Sequence, residues 1–234
     1  MTHRVHPYIF RIGLLTDWKS RWFGQKRFRE YLREDTLLRQ WLERHLRAAH
    51  LKTVEIERFP NLLHIVIKTA RPGIVIGRGG EGAQKLKTEI ERFLARASRW
   101  HPAGQVKKPE IKITIEEVRA PETHAAIAAA MLVEDIEKRL PFRRALKMAL
   151  EKTAQSREVH GVKIAMRGRL DGAEMARYEW GKRGRIPLQT LRANVDYAEK
   201  TAYTSYGTIG VKVWIYKGDV FEKEKQELRI KNQG

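Results

Sequence analysis

The sequence has no cysteine, no long apolar run and too few acidic residues to balance its basic ones. The absence of cysteine excludes disulfide bonds and thiolate zinc sites. No apolar run approaches the roughly 20 residues that a membrane-spanning helix needs, and the N-terminus lacks the apolar region of a signal peptide. The eight histidines show no metal-ligand spacing. The sequence therefore predicts a cytoplasmic protein with no metal and no other cofactor.

Basic residues dominate the charge of the chain. Its 234 residues contain 47 Lys and Arg against 28 Asp and Glu, which gives a formal net charge of +19 and a pI near 10.3. A charge of this sign attracts polyanions, so nucleic acid is the first class of partner to consider and a membrane surface the second. We find no set of nucleophile, base and orienting residue, and no paired carboxylates in an apolar setting. The sequence thus predicts a binding protein and not an enzyme.

A glycine-rich stretch at residues 74–87 organises the first half of the chain. It follows the alternating pattern of Leu63–Lys68, which predicts a strand, and it precedes an apolar stripe at helical spacing. Glycines let the backbone approach an anion, and a helix start adds unpaired N–H groups. Phosphate is therefore the expected ligand of this stretch.

Two phosphate-binding motifs fit the glycines. Gly77, Gly79 and Gly82 match the dinucleotide fingerprint, whereas Gly77 and Gly80 match the G-x-x-G of KH domains. A turn that starts a helix and binds nothing is a third interpretation. The dinucleotide motif should follow its strand directly and have an acidic residue about 20 positions later, but Pro72 intervenes and a basic stretch replaces the acid. The order helix, strand, strand, short helix, G-x-x-G, helix, strand favours the bacterial-type KH domain.

The N-terminal residues 1–24 mix basic and aromatic side chains. Bases stack on both arginine and aromatic rings, so this composition suits RNA. An arm that packs on the body of the protein explains the same residues equally well. The sequence leaves both interpretations open.

The second half begins with two helical patterns separated by Pro141. On the second helix, Arg143 and Lys147 are four residues apart and Arg144 and Lys147 three, so all three project together away from the apolar side. Charge runs are usually solvated faces, but a face of single sign is destabilised by self-repulsion unless a polyanion balances it. We therefore favour RNA contact at this helix.

The remainder of the chain is β-rich. Alternating residues predict strands over Val162–Met166 and Val211–Ile215. Between them, the glycines and basic pairs of residues 168–188 predict tight turns that carry cationic side chains. Residues 221–234 are polar, of mixed charge and without periodicity, which predicts a disordered tail.

Several of these segments also resemble a known family. The C-terminal signature of bacterial ribosomal small-subunit protein three is similar to four stretches of this chain: Gly168–Arg177, Glu179-Trp180, Gly184–Tyr197 and Tyr206–Ile215. The opening of that family is similar to Val5-His6-Pro7, Phe10–Gly13 and Asp17–Trp22. The resemblance covers roughly residues 5–218.

The resemblance implies an α+β fold of two domains, an N-terminal type II (prokaryotic) KH domain and a C-terminal α/β sandwich-like domain. The expected boundaries are a basic and aromatic arm at 1–24, the KH domain at 25–118, the C-terminal domain at 119–220 and the tail at 221–234.

For function, the resemblance implies a structural constituent of the small ribosomal subunit head, located on the cytoplasmic ribosome. Such a protein binds small-subunit rRNA, contributes to the channel by which mRNA enters, and holds and helps to unwind incoming mRNA during translation. The implied protein neighbours are small-subunit proteins ten, fourteen and two in the head, and proteins four and five beside the channel.

The resemblance also assigns residues to RNA. The family's KH loop is matched by four residues: Gly77, Arg78, Gly79 and Gly80. Its basic helix, where mRNA enters, is matched by Arg143, Arg144 and Lys147. The remaining RNA-binding candidates are basic residues in or beside the matching segments: Lys85, Arg169, Arg177, Arg185, Arg192, Arg11 and Arg21.

Overall fold

The structure is a computed structural model that describes residues 5–25, 27–97 and 110–221, and it shows an α+β protein. The described elements of the first half are α1 (Pro7–Phe10), β1 (Ser20–Arg21), α2 (Phe28–His45), β2 (Leu51–Arg58), β3 (Leu62–Thr69), α3 (Pro72–Ile76), α4 (Glu81–Ala97) and β4 (Glu110–Glu117). Those of the second half are α5 (Ala125–Glu137), α6 (Phe142–Gln155), β5 (Gly161–Gly168), β6 (Arg177–Gly184), β7 (Ala193–Thr204) and β8 (Gly207–Asp219). None of the described helices is long and apolar enough to cross a membrane.

The chain divides into two compact units. Residues 19–119 form the first, which we call the glycine-loop unit. Residues through Trp18 join those from Ala120 onward to form the second, which we call the C-terminal unit. The tail predicted at 221–234 lies, from residue 222, outside the described residues.

The glycine-loop unit is a four-stranded sheet in the order β1-β2-β3-β4. β2 and β3 are antiparallel, and the outer pairs are parallel. Alternate strand residues turn toward the helices, as a half-buried strand requires. Ile65 and Ile67 of β3 are fully buried in one core cluster with Leu42 of α2 and Ile90 of α4. This element order is the one that the sequence predicted for a KH domain.

The C-terminal unit is an antiparallel sheet in the order β6-β5-β8-β7, with α5 and α6 packed on one face. Val162 and Ile164 of β5 and Val213 of β8 are fully buried against Leu132 of α5 and Ala145 of α6. Helices α5 and α6 thus cover one face of the sheet, and the opposite face is exposed at β6 but buried around Val195 of β7 and Tyr216 of β8.

Helices α5 and α6 of this unit receive their N-terminal caps from distant residues. The first N–H of α5, at Ala125, donates to Asp196 Oδ2 at 2.9 Å, and that of α6, at Phe142, donates to Asp171 Oδ1 at 3.2 Å. Neither helix has a capping side chain of its own. These carboxylates accept hydrogen bonds from N–H groups that would otherwise lack partners. Their negative charge also interacts favourably with the positive end of each helix dipole.

The N-terminal segment is tied to the C-terminal unit through Arg11, which is 1% exposed. Its Nε donates to the carbonyl of Ala193 at 2.7 Å, and its Nη1 to that of Pro7 at 2.9 Å. Its Nη2 donates to three further carbonyls, at 3.0–3.3 Å, of Pro187, Leu188 and Thr190. Residues 5–18 therefore pack on the body, and β1 joins the other sheet. The described part of the predicted arm, residues 5–24, is therefore divided between the two units.

The structure corrects the prediction of tight turns over residues 168–188. Residues 170–172 do form a turn, but Arg177–Gly184 form an edge strand, β6. The inward position of this strand is Gly181, where an added Cβ would collide with Leu146 and Leu150 of α6. A glycine at the packing position hides the apolar alternation by which strands are recognised. Strand β7 was not predicted either.

Candidate nucleic-acid interface

The loop between α3 and α4 has a backbone that favours glycine. The φ angle is +71° at Gly77, +61° at Gly79 and +85° at Gly80, all in the left-handed region. At Gly77 space is also short, because an added Cβ would lie 2.9 Å from the amide nitrogen of Gly82. The loop therefore passes close to the start of α4, where N–H groups without intrahelical partners favour an anion.

Two basic candidates lie beside this loop, and both are exposed. Arg78 stands inside the G-x-x-G sequence. Lys85 lies on α4, and its Nζ is 3.2 Å from Glu81 Oε2 one turn earlier. Because both members of that pair are largely exposed, the ion pair is weak, but it places a carboxylate beside the lysine. Arg78 is thus the better placed of the two for a phosphate contact.

The dinucleotide-binding interpretation of the same glycines is wrong. That motif joins a strand directly to a helix within a parallel sheet. Here α3 separates β3 from Gly77, and β3 is antiparallel to β2. The loop therefore belongs to the KH arrangement of elements.

Helix α6 carries a basic face opposite its buried side. Phe142 and Ala145 point into the core, whereas Arg143, Arg144 and Lys147 are exposed. Within the described part of the chain, none of the three basic residues forms an ion pair. The Arg143 guanidinium lies 5.6 Å from the centroid of the Phe142 ring. The structure thus brings the three side chains to one exposed surface, as the helical spacing predicted.

The four arginines of the C-terminal signature are all exposed but have different local partners. Arg169 donates to the carbonyls of Ala173 at 2.8 Å and Tyr206 at 3.3 Å, which holds its position. Arg192 pairs with a carboxylate, that of Asp219, at 3.2 Å.

Of the other two, Arg177 has no carboxylate partner among the described residues, whereas the charge of Arg185 helps to lower the pKa of Asp219. Arg185 lies 5.9 Å from the ring centroid of Tyr216, and Arg177 opens strand β6. Of the four arginines, Arg169 and Arg177 are therefore the two without a carboxylate partner among the described residues.

The two arginines proposed from the N-terminal segment differ. The prediction that Arg11 binds RNA is wrong, because the side chain is buried and its N–H groups are engaged by carbonyls of the protein. Burial also lowers the pKa of its guanidinium. Arg21 is exposed and lies 3.3 Å from Glu57. Both arginines were predicted to bind RNA, because sequence composition does not distinguish a buried arginine from an exposed one.

Sequence reasoning missed a group of aromatic and basic residues on the open face of the C-terminal sheet. Trp180, Tyr178 and Lys182 lie on β6, in the segment predicted to form turns. All three are exposed. The signal available in the sequence was their spacing of two, which places them on one face once the segment is recognised as a strand.

Family models match a segment in each half of the chain, and similar proteins match it along nearly its whole length. A family model described as KH domain matches residues 37–123, and one described as ribosomal protein S3, C-terminal domain, matches residues 132–215. The small ribosomal subunit protein uS3 of Kosmotoga olearia is 43% identical over 228 residues, which cover 97% of this chain and 100% of the relative. That of Syntrophomonas wolfei is 42% identical over 233 residues, covering 100% and 96%. That of Myxococcus xanthus is 43% identical over 220 residues, covering 94% of each.

Proposed function

The chain belongs to the family of small ribosomal subunit protein uS3, and from this premise we propose that it binds rRNA in the subunit head and contributes to the channel by which mRNA enters. Membership makes it a structural, RNA-binding component of the ribosome. The proposal adds the two RNA surfaces through which this component acts, the glycine loop and the basic face of α6. Its role in this proposal is structural and not catalytic.

The observation that carries the mRNA part of the proposal is the basic face of α6. Arg143, Arg144 and Lys147 project from a helix whose other side is locked in the core by Phe142 and Ala145. The packed helix fixes the backbone of the three residues, and no carboxylate of the described chain pairs with their side chains. Three such cations attract the phosphates of a passing strand without reading its sequence. They thereby hold one strand of a folded message and favour its separation from the other.

The glycine loop supports the rRNA part of the proposal. The positive φ angles of Gly77, Gly79 and Gly80 bring backbone N–H groups to the surface at the start of α4. G-x-x-G loops of KH domains clamp the backbone of about four nucleotides. Arg78 adds a cation at the same place. In the assembled head we expect proteins ten, fourteen and two as neighbours, and proteins four and five beside the mRNA channel.

The test replaces Arg143, Arg144 and Lys147 together by alanine. We expect the variant to enter small subunits normally, because the three side chains lie outside the core. We expect translation of messages with a stable hairpin in the coding region to slow relative to unstructured messages. Subunit incorporation is measured by co-sedimentation, and translation by the ratio of products from the paired messages.

A matched control replaces three exposed arginines of another helix, Arg29, Arg33 and Arg44 of α2. It removes the same amount of charge and should leave the ratio of structured to unstructured products unchanged. Equal translation of both messages by the α6 variant would remove the mRNA role from the proposal. If the wild-type chain did not co-sediment with small subunits, that result would contradict its proposed place in the head of the small subunit.

A further inference from the structure

The open face of the C-terminal sheet carries aromatic and basic side chains in register. Across β5 and β6, Tyr178 pairs with Arg167 and Trp180 pairs with Ala165. Residues two apart on a strand share a face, so all four point to the same side. Gly181, the residue after Trp180, points to the opposite side and approaches the leucines of α6. The aromatic residues therefore point away from the helices.

Two of these aromatic rings are available to a ligand. Trp180 is 54% exposed and Tyr178 is 50% exposed. Alternate residues of a strand stand about 6.8 Å apart, twice the roughly 3.4 Å rise between stacked bases. Each ring is thus positioned to stack one base of an extended single strand. Such stacking is tolerant of sequence, because every base has a π face.

A lysine fixes the orientation of Trp180. Lys163 Nζ lies 5.1 Å from the ring centroid of Trp180 and 5.4 Å from that of Trp214 on the neighbouring strand β8. A cation between two indole rings attracts both and restricts their rotation. The Trp180 ring is therefore held by the protein before any ligand binds.

The charge of this face suits a polyanion. Lys182 and Arg167 are exposed beside the two rings, and Lys212 lies one strand further. The described strands carry two carboxylates on this face: Glu199, which lies 3.4 Å from Lys212, and Asp219 at the end of β8, which accepts a hydrogen bond from the Tyr216 hydroxyl and lies 3.2 Å from Arg192. Cations therefore outnumber carboxylates on the same surface that offers the rings.

We propose that this face is an additional RNA-binding surface, which takes a single-stranded segment by stacking bases on Trp180 and Tyr178 and binding phosphates with Lys182 and Arg167. The proposal deepens the RNA-binding function proposed above and rests on it. It concerns a surface separate from the glycine loop and from the basic face of α6. The alternation of π faces with cations favours RNA over a protein partner, since both components of a nucleotide then have a counterpart.

The test measures binding of the full chain to a single-stranded RNA of about 12 nucleotides, within the range of about 4–16 nucleotides that single-strand-binding folds occupy. The RNA carries photoreactive 4-thiouridine. We expect Trp180→Leu and Tyr178→Leu each to weaken binding about 5- to 150-fold, the range that loss of one stacked base produces. Leucine keeps apolar bulk on the strand but removes the π face. Crosslinks to residues 178–182 should form with wild type and disappear in the variant that combines Trp180→Leu with Tyr178→Leu.

Two controls match these changes in exposure and charge. Phe59→Leu removes a ring that is 56% exposed in the glycine-loop unit, and it should leave binding unchanged. Lys182→Glu should weaken binding and lower its salt dependence, whereas Lys112→Glu, at an exposed position on the other sheet, should do neither. The surface charge variants do not depend on core packing, so they keep the test valid if a ring variant folds poorly.

The outcomes separate this proposal from the function on which it rests. Unchanged binding by the Trp180, Tyr178 and Lys182 variants, with tight binding by wild type, would overturn the stacking surface and leave the RNA-binding function standing. Absence of wild-type binding both to this RNA and to small-subunit head rRNA would overturn both. Normal RNA binding by the variants combined with loss of a protein from their subunits would identify the face as a protein contact, which also overturns the proposal.

Discussion

Each of the two sheets has a face turned away from its helices, and the two faces differ in how their cations are compensated. In the glycine-loop unit, Lys68 lies 2.9 Å from Glu55 and 3.6 Å from Glu116. In the C-terminal unit, Lys163 lies between two indole rings, and Lys182 is exposed. Both sheets have four strands and both carry helices on one side. The contrast therefore comes from side chains and not from architecture.

The contrast shows why net charge does not locate an RNA surface. A cation that already has a carboxylate within the protein contributes to stability and attracts a polyanion weakly, because the pair is nearly neutral at a distance. An exposed cation with no carboxylate partner among the described residues, such as Lys182, keeps its full charge for a ligand. The formal charge of +19 is thus spread over surfaces of both kinds.

The largest effect that we expect is on stability, at a compensated arginine of the glycine-loop unit. Arg58 is mostly buried and lies 2.5 Å from Asp35 and 2.7 Å from Glu34, and Asp35 also accepts the indole N–H of Trp22 at 2.7 Å. We expect Asp35→Ala to lower the free energy of unfolding by about 3 kcal/mol, because it leaves a buried guanidinium incompletely paired. Chemical denaturation measures this change.

Glu43, an exposed carboxylate on the same helix, provides the control. Glu43→Ala should change the free energy of unfolding by less than about 0.5 kcal/mol. Affinity of the Asp35 variant for RNA should stay at the wild-type value under conditions where it is folded. A large loss of RNA affinity with unchanged stability would break the distinction between compensated and uncompensated charges.

A smaller and pH-dependent effect is expected at Asp196, which caps α5. Burial raises the pKa of this carboxyl, but the His124 ring, the N–H of Ala125 and the charge of Lys217 outweigh it, so the pKa lies below its usual range. A lowered folded pKa gives stability that is present above the unfolded value of about 3.9 and is lost as pH falls through the folded value. We expect Asp196→Ala to cost about 1 kcal/mol near neutral pH, the usual cost of losing a helix cap.

The difference between wild type and this variant should shrink as the pH falls below about 4, because the carboxyl of the unfolded chain is protonated first and that of the folded protein only at a lower pH. Denaturation midpoints measured from pH 7 to pH 3 test this. Glu122→Ala, at an exposed carboxylate just before α5, should show no such convergence. A constant difference across the range would mean that the carboxyl stabilises the protein without its charge.

We expect the smallest effects when the same substitution is made on each of the two faces, Lys68→Met on one and Lys182→Met on the other. We expect the Lys68 variant to lose about 0.5–1 kcal/mol of stability, because Glu55 and Glu116 are left without their shared cation. Burial lowers the pKa of Lys68, but the two carboxylates outweigh it and raise the pKa overall. This contribution is therefore present below the ordinary value of about 10.4 and is lost as pH rises through the raised pKa.

The Lys182 variant should keep its stability and lose about 0.7 from the slope of log affinity against log salt, the amount for one phosphate contact on single-stranded RNA. Each variant serves as the control for the other. Equal salt slopes for both variants would show that the two faces do not differ toward RNA.

The sequence predicted those features whose cause lies nearby in the chain. The strand pattern, the glycines and the helical stripe follow one another around Gly77, so local order was enough to identify the KH arrangement. The basic face of α6 was also local, because Arg143, Arg144 and Lys147 lie within one and a half turns. In both cases spacing along the chain decides which side chains share a surface.

The features that the sequence did not predict depend on distant partners. The role of Arg11 is set by carbonyls of residues 187–193, and backbone carbonyls leave no trace in side-chain composition. Strand β6 forms because Gly181 lets it lie against Leu146 and Leu150 of another element. Residues two apart share a face in a strand but not in a turn, so a prediction of turns does not place Trp180 and Tyr178 on one surface.

The carbonyl bonds of Arg11 also bear on how the chain folds as it is synthesised. Apart from Pro7, the carbonyls that receive its N–H groups lie 176 to 182 residues later in the sequence. At the usual 5–20 residues per second, Arg11 is synthesised about 10–35 s before those carbonyls. The glycine-loop unit lies wholly within that interval and is able to fold first. Arg11, with the exposed Ile9 and Leu14 near it, is therefore synthesised early but acquires its hydrogen-bond partners late.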